Sequence, residues 1–315
     1  MRPPRSAGTR SRGSAARADA TDWRATSVSD KGSERLAVRK TYKLFIGGAF
    51  PRSESGRSYV VTDAKDRFVA NASRASRKDV RDAVVAARKA FPGWSGRTAY
   101  NRAQILYRVA EMLEGRRDQF VAELRQAGLS RPQAAAEADA AVDRWVWYAG
   151  WADKISAVAG SANPVSGPFF NFSTPEPAGV VAVLAPDSPL LGLVSVVAPA
   201  IVTGNTAVVV ASEPAPLPAI TLAEVLATSD LPGGVVNLLT GHRAELAPWL
   251  ADHMDVNAVD LAGAAPGDVA GLEERAAGNL KRVLRPDGAD WGAEPGTARL
   301  TAFLETKTVW HPVGI

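Results

Sequence analysis

The sequence predicts an α/β fold in which helices cover both faces of a parallel sheet. Between residues 176 and 286, short runs rich in valine and leucine alternate four times with longer helix-like segments. This alternation is typical of strands that are buried on both faces and joined by crossover helices. The 315 residues are 46% hydrophobic and 22% charged, which indicates a globular protein with a sizeable core.

The four strand–helix repeats predict a doubly wound, Rossmann-like sheet. They are Gly179–Leu184 with Leu190–Val202, Thr206–Ala211 with Pro218–Thr228, Val235–Leu239 with Arg243–Ala251, and Ala258–Leu261 with Gly271–Gly278. Ligands of such sheets bind outside the carboxyl ends of the strands. We therefore expect functional residues in the turns 185–189, 211–214, 240–242 and 262–264.

The preceding part of the chain predicts a hairpin followed by long helices. Tyr42–Gly48 and the run up to Val61 read as two strands with Ser55 and Gly56 in the turn. Ser76 and Asp79 resemble a capping box at the start of the first helix. Two further helices are predicted at Tyr100–Leu124 and 134–154, and an extended hairpin at 155–175, where Ser166 and Gly167 mark a turn.

Charge and composition exclude several function classes. Residues 1–40 carry ten basic and four acidic side chains, whereas the remaining residues carry 27 basic and 29 acidic ones. The near-neutral body predicts no nucleic-acid partner, and no apolar run is long enough to predict a membrane span. The Arg- and Ser-rich tail predicts disorder. Three readings of the tail stay open: a solvated extension, a misassigned start codon, or an electrostatic tether to RNA, membrane or an acidic partner. With no cysteine and three scattered histidines, no metal site is predicted.

Several motifs together carry a family resemblance. They are the opening LFIGG at 44–48, WYAGWADK at 147–154, VNLLTG at 236–241 and NLKRVL at 279–284. The chain closely resembles the aldehyde dehydrogenase superfamily across about 41–288 and 299–315. The resemblance implies an oxidoreductase acting on aldehydes, with NAD or NADP as cofactor.

The resemblance also assigns catalytic positions, which are degenerate here. The family's nucleophile is a cysteine, and this chain has none. Asp187 lies where the family has an asparagine that donates a hydrogen bond to the oxyanion. Pro286 lies where the family has its general-base glutamate. The resemblance therefore implies no catalytic residue in this chain.

The same comparison with the family indicates that part of the cofactor site is retained. Val210 stands where the family has a lysine that, with the glutamate corresponding to Glu213, holds the adenosine ribose. The cofactor-binding residues implied by the resemblance are Ser212, Glu213, Gly241 and Gly263. NAD or NADP binding is accordingly expected to be weak or absent.

The resemblance divides the chain into four parts. Residues 1–40 form the tail, 41–154 with 176–288 the nucleotide-binding-type domain, and 155–175 with 299–315 an oligomerisation arm. Residues 289–298 form a linker that replaces a catalytic domain. Three functions stay open for this cytoplasmic protein. The first is an inactive structural or regulatory subunit that pairs with itself or with a full-length aldehyde dehydrogenase. The second is an NAD(P)-dependent oxidoreductase acting on aldehydes, either alone or with a partner chain that supplies the nucleophile. The third is a weak, non-catalytic nucleotide binder.

Overall fold

The computed structural model describes residues 40–314, so the predicted tail lies outside the described residues except for Lys40. Within that range the strands are β1 Ser58–Thr62, β2 Phe68–Ser73, β3 Ser161–Asn163, β4 Phe169–Pro177, β5 Val180–Leu184, β6 Thr206–Val210, β7 Val236–Leu239, β8 Ala258–Asp260, β9 Arg282–Leu284 and β10 Leu304–Pro312. The helices there are α1 Arg77–Ser95, α2 Ala99–Glu114, α3 Arg117–Gln126, α4 Arg131–Ala149, α5 Ile155–Ala159, α6 Leu191–Val202, α7 Leu217–Ala227, α8 Arg243–Asp252, α9 Val269–Ala277 and α10 Ala298–Thr301.

Five parallel strands form the central sheet in the order β7-β6-β5-β8-β9. The chain runs outward from β5 to β7 in one direction, then returns to the other side of β5 for β8 and β9. This reversal is the topological switch point of a doubly wound sheet. The predicted Rossmann-like fold is therefore confirmed.

Alternate side chains of each central strand enter different cores, as a strand period of two requires. On β5, Val181 and Val183 pack into the larger core, which also contains α2, α4, α6 and α7. Val180, Ala182 and Leu184 pack instead against α1, α8 and α9. Both faces of the sheet are thus covered, which explains why these strands are almost entirely apolar.

The amino-terminal hairpin lies further along the chain than predicted. β1 pairs antiparallel with β2, and the turn between them is residues 63–67, where Asp63 accepts backbone hydrogen bonds from Lys65 and Arg67. The segment around Phe45 exchanges backbone hydrogen bonds with Leu238 on β7 instead. The prediction was wrong because Ser55 and Gly56 belong to a separate turn, in which the Gly56 amide donates to the Ser53 carbonyl, and they do not connect the paired strands.

The helices differ from the sequence predictions at two breaks. The predicted helix Tyr100–Leu124 is two helices, α2 and α3, because Gly115 ends the first; glycine favours helix ends over helix interiors. Residues 155–159 form the short helix α5 rather than extended chain. The capping box is confirmed, since Ser76 Oγ accepts from the Lys78 amide at 3.2 Å and Asp79 accepts from the Ser76 amide at 2.7 Å. None of the helices within residues 40–314 is both long and apolar enough to cross a membrane.

A separate three-stranded antiparallel sheet has the order β10-β4-β3. β10 pairs with β4 over nine residues, from Leu304 opposite Pro177 to Pro312 opposite Phe169. The hairpin predicted within 155–175 and the carboxyl-terminal strand therefore belong to one sheet. β10 lies at its edge, and no strand within the described range pairs with its outer side.

Candidate functional site

Turns at the carboxyl ends of β5, β6, β7 and β8 converge at one edge of the central sheet. Ser212 Oγ, after β6, donates a 3.1 Å hydrogen bond to Asp187 Oδ1, after β5. Arg243 Nη1, after β7, donates a 2.9 Å hydrogen bond to the carbonyl of Gly263, after β8. These contacts bring the predicted turns together at the switch point, where ligands of doubly wound sheets bind.

Asp187 presents a carboxylate at this edge. Its side chain is 61% exposed and forms an ion pair with Arg243 Nη2. An ionised carboxylate accepts hydrogen bonds and donates none. The turn 185–189 therefore offers an acceptor side chain, which cannot donate to an oxygen atom that gains negative charge during a reaction.

Glu213 is held by groups of its own chain on both oxygens. Its Oε2 accepts a 3.2 Å hydrogen bond from the Arg243 amide, and its Oε1 lies 2.5 Å from His242 Nδ1. The ring of Tyr59 packs on His242 at 5.7 Å between centroids. Burial raises the pKa of Tyr59, and the charge of Glu213 raises it further, so Tyr59 stays neutral at physiological pH.

Arg243 connects three of the turns. It is the first residue of α8, so its amide points at Glu213 while its guanidinium extends to Gly263 and Asp187. Its side chain is largely buried, and its Nε is fully buried with no hydrogen-bond partner. A buried donor without a partner is costly, so this Nε is an energetic cost of the arrangement.

The two glycines expected to bind cofactor have structural roles: close packing requires Gly263, and the backbone conformation favours glycine at Gly241. A Cβ on Gly263 would lie 2.0 Å from the carbonyl oxygen of Ala185, so only glycine allows the turns after β5 and β8 to approach this closely. Gly241 has a φ of +145°, and a Cβ there would lie 3.2 Å from the Ala75 amide nitrogen. Both glycines therefore have a structural reason to be present, whether or not a ligand binds.

A cavity of about 450 Å³ opens between α8 and α9 beside these turns. This volume falls in the range of about 300–1,000 Å³ typical of small-molecule pockets. Its lining is partly apolar and partly charged. The apolar lining comprises Leu184, Ala247, Pro248, Ala264 and Leu272, and the charged lining Glu213, Arg243, Asp268 and Arg275.

The remaining predicted positions contribute no polar group to this cavity. Val210, the last residue of β6, is fully buried and apolar. Pro286 is exposed, lies two residues beyond β9 and does not line the cavity. In the described part of the chain, no cluster of three or more His, Cys, Asp or Glu side chains could hold a metal ion.

The sequence predictions did not assign a function to His242, Arg243 or Arg275. His242 and Arg243 lie where the chain passes from β7 into α8. Their position directly after a strand at the switch point was a usable signal, since strand ends face the ligand. Arg275 lies seven residues into α9, and nothing in the sequence indicates that it reaches the same cavity.

The fold and this cavity define a nucleotide-binding type of α/β domain. The sequence profile of the aldehyde dehydrogenase family matches residues 50–288. That is more than half of the chain, and the chain therefore belongs to the aldehyde dehydrogenase family.

Individual relatives agree with this assignment. The chain is 33% identical over 256 residues to the cytosolic aldehyde dehydrogenase 1 of Elephantulus edwardii, covering 78% of this chain and 50% of that protein. It is 32% identical over 252 residues to omega-crystallin of Enteroctopus dofleini, covering 77% and 50%. An NAD⁺ complex of aldehyde dehydrogenase from Bacillus cereus superposes with a TM-score of 0.73 at 27% identity, covering 78% and 50%. The chain spans about half the length of the curated relatives that it matches.

Family membership implies NAD or NADP, and the residues at the site fit only part of such a dinucleotide. The apolar slot between α8 and α9, with Glu213 at its rim, suits a nucleoside. Beyond it the Arg243–Asp187 ion pair lies at the next turn. A closed ion pair of the chain's own side chains therefore lies beside this slot. The residues present do not match the needs of the whole dinucleotide.

Proposed function

We propose that this chain is a catalytically inactive aldehyde dehydrogenase homologue that acts as a structural or regulatory subunit. The observation that carries this proposal is the Asp187 carboxylate, with its partner Arg243, at the turn where the family uses an asparagine donor. A negative charge there would repel a developing oxyanion instead of stabilising it. The proposal concerns the activity of this chain alone.

Two further positions support the same conclusion. The 315 residues contain no cysteine, so no thiolate nucleophile is available. Pro286, at the position of the family's general base, carries no group that could accept a proton. Restoring one of these groups alone would leave the other steps without a catalyst.

Weak or absent dinucleotide binding is part of the proposal. Val210 supplies no charge or hydrogen bond where the family has lysine, and Glu213 is already bonded to His242 and Arg243. A ligand must therefore compete with contacts inside the protein for the one ribose-binding carboxylate that is retained. We expect NAD and NADP to bind much more weakly than to a complete dehydrogenase.

The β10-β4-β3 sheet is the proposed means of association. We propose that 155–175 and 299–315 act as its arm, that 41–154 and 176–288 form the nucleotide-binding-type domain, and that 289–298 stand where a catalytic domain is missing. The unpaired edge of β10 supports pairing with a second chain, either another copy or a full-length aldehyde dehydrogenase. The similarity to a relative named as cytosolic supports a cytoplasmic location.

The deciding experiment is an assay of the purified chain with NAD or NADP and aliphatic aldehydes, using a complete dehydrogenase as positive control. We expect no turnover above the buffer rate. Sustained turnover by the chain alone would refute the proposal. Turnover that appears only after a second chain is added, and that exceeds the activity of that chain, would favour an oxidoreductase that needs a partner for its nucleophile.

A further inference from the structure

We propose that a second cavity, between the start of α1 and one side of α8, binds a small polyvalent anion through Arg57 and Arg77. The cavity has a volume of about 510 Å³, which is typical of small-molecule pockets. None of its lining residues belongs to the four turns at the carboxyl ends of the central strands. The site therefore lies apart from the residues on which the proposed function rests.

The charges that line this cavity are unequally compensated. Its two carboxylates are already paired, Glu245 with Arg74, and Asp252 with an arginine of α9 at 2.6 Å. Arg57 and Arg77 also line the cavity, and neither takes part in an ion pair within the described part of the chain. Two guanidinium groups are therefore left to attract an anion from solution.

An aromatic ring holds Arg77 in place. Its guanidinium carbon lies 4.0 Å from the centre of the Trp249 ring, and Trp249 lines the cavity as well. A guanidinium that lies over a ring keeps the N–H groups at its edge available for hydrogen bonds. Such a side chain loses less rotamer freedom on binding a ligand than an unconstrained arginine does. Trp249 thus prepares Arg77 to bind an oxyanion.

Arg57 contributes the second guanidinium, from the segment just before β1. Its Nε donates a 3.3 Å hydrogen bond to Ser55 Oγ, while its Nη atoms make no hydrogen bond among the residues that the structure describes. The side chain is exposed, so an anion can reach it from solvent. Arg77 is the first residue of the 19-residue helix α1, whose dipole adds to the positive potential on that side of the cavity.

The ligand must carry at least two negative groups. A single exposed ion pair contributes little in water, so a monovalent anion gains too little from either arginine alone. A molecule with two or more phosphate or carboxylate groups can contact both arginines at once. Each guanidinium can bind either kind of group through two parallel hydrogen bonds. The shared chemistry is that of a polyvalent oxyanion small enough for the cavity.

Calorimetry on the full chain, with inorganic pyrophosphate and citrate as probes, tests the inference. The ionic strength is kept at about 0.1 M, where charges more than about 10 Å apart are screened. We expect at least one probe to bind with a Kd of about 1 mM or tighter. Arg57→Gln and Arg77→Gln should each weaken its binding at least about fivefold, because each variant removes one of the two guanidinium contacts.

Arg131→Gln is the matched control. Arg131 is an exposed first residue of α4, as Arg77 is of α1, but it does not line the cavity. The control therefore removes the same charge from the same helical position, and it should leave the affinity for either probe within about twofold of wild type.

Glu245→Gln is a variant with the opposite expected effect. It removes a negative charge from the cavity wall and releases Arg74, so the probe should bind about two- to fivefold more tightly. All the substituted side chains are exposed, which keeps the variants folded.

The two probes also identify the ligand group. Tighter binding of pyrophosphate assigns a phosphate ligand and tighter binding of citrate a carboxylate ligand, and either result supports the inference. Three results would each overturn it: no binding of either probe at millimolar concentration, equal weakening by Arg77→Gln and Arg131→Gln, or an affinity that Glu245→Gln does not change. None of these results depends on whether the chain oxidises aldehydes.

Discussion

Asp260 and Arg299 form an ion pair that is almost completely buried at the carboxyl end of β8. Arg299 also lies 5.1 Å from the ring of Trp291. Burial raises the pKa of Asp260 from its ordinary value of 3.8 to about 6, against the opposing effect of Arg299. The pair joins the central sheet to the segment before β10, so its protonation affects how firmly that segment is held.

We predict that this carboxyl group makes the protein less stable as pH rises from about 4 to about 6. In this window the folded state binds more protons at Asp260 than the unfolded state, so the free energy of unfolding falls with increasing pH. Two pKa units correspond to about 3 kcal/mol. Urea denaturation at pH 4 and pH 7 of wild type and Asp260→Asn isolates the effect, because other groups cancel in the difference. The wild type should lose about 2 kcal/mol relative to the variant between pH 4 and pH 7, and a difference that does not change with pH would contradict the assignment.

Individual residues also show how much of the candidate site could be predicted from the sequence. Asp187, Ser212, Glu213 and Gly263 were named from the family resemblance, and they lie in turns that are expected to meet because the strand ends of a doubly wound sheet face one edge. That Arg243 would reach both Asp187 and Gly263 depends on the distance between two turns, which only the folded backbone defines. The packing role of Gly263 against Ala185 was equally hidden, since it results from contact between segments far apart in sequence.

Elements with a local signal were predicted well, and elements defined by tertiary contacts were not. The α1 capping box depends on residues three apart and is present. The break between α2 and α3 was missed because the apolar periodicity continues across Gly115. The β1–β2 hairpin was missed because the sequence contains two turn signals, at 55–56 and at 63–67, and only the second connects paired strands.

The cap of α1 predicts a measurable loss of stability. Ser76→Ala removes the acceptor for the Lys78 and Asp79 amides, and the free energy of unfolding should fall by about 1 kcal/mol. Ser58→Ala changes an exposed serine on β1 and should stay within about 0.5 kcal/mol of wild type. Urea denaturation of both variants tests this. Equal stabilities would mean that water replaces the cap at no cost.

The segment 289–298 is attached to the body through Arg144 of α4. This buried guanidinium donates 2.9 Å hydrogen bonds to the carbonyls of Trp291 and Ala293 and a 2.6 Å hydrogen bond to Ser195 Oγ. The segment expected to be a plain linker is therefore bonded to the helix layer. Its attachment depends on a side chain about 150 positions earlier, which no local pattern could indicate.

Arg144→Leu should release this segment while α4 stays folded. We expect amide hydrogen exchange in peptides covering 289–297 to accelerate at least about tenfold, because local opening no longer breaks the bonds to Arg144. Exchange in β5 and β6 should be unchanged. Arg117→Leu, which removes an exposed arginine paired with Asp139, serves as control. If exchange in 289–297 is the same in both variants, Arg144 does not hold the segment.

At the scale of the whole molecule, the parallel sheet and its helices could be predicted because every local pattern agreed with the fold. The assembly could not be predicted in the same way. Whether an edge strand stays free depends on surfaces of other chains, and a single sequence contains no signal for them. The family resemblance alone indicated that β10 belongs to an arm.

The proposed arm has the features of an interface. Trp310 is 58% exposed and stacks edge-on against Phe169 at 5.8 Å. Phe170, on the opposite face of the same sheet, is also half exposed. Apolar side chains beside an unpaired strand edge favour association, since pairing satisfies the backbone and buries the rings together.

We therefore predict that the purified chain is a dimer or larger at micromolar concentration and that Trp310→Glu shifts it toward monomer. A charge at this position would have to be buried without a partner on association, which should weaken the complex by about 2 kcal/mol or more. Tyr100→Glu is the control, because Tyr100 is an aromatic residue on α2 that is 70% exposed and distant in sequence from the arm. Light scattering and native mass spectrometry measure the mass of each form. A monomeric wild type would refute self-association and leave a full-length aldehyde dehydrogenase as the proposed partner. An equal loss of mass in both variants would mean that association does not depend on the arm.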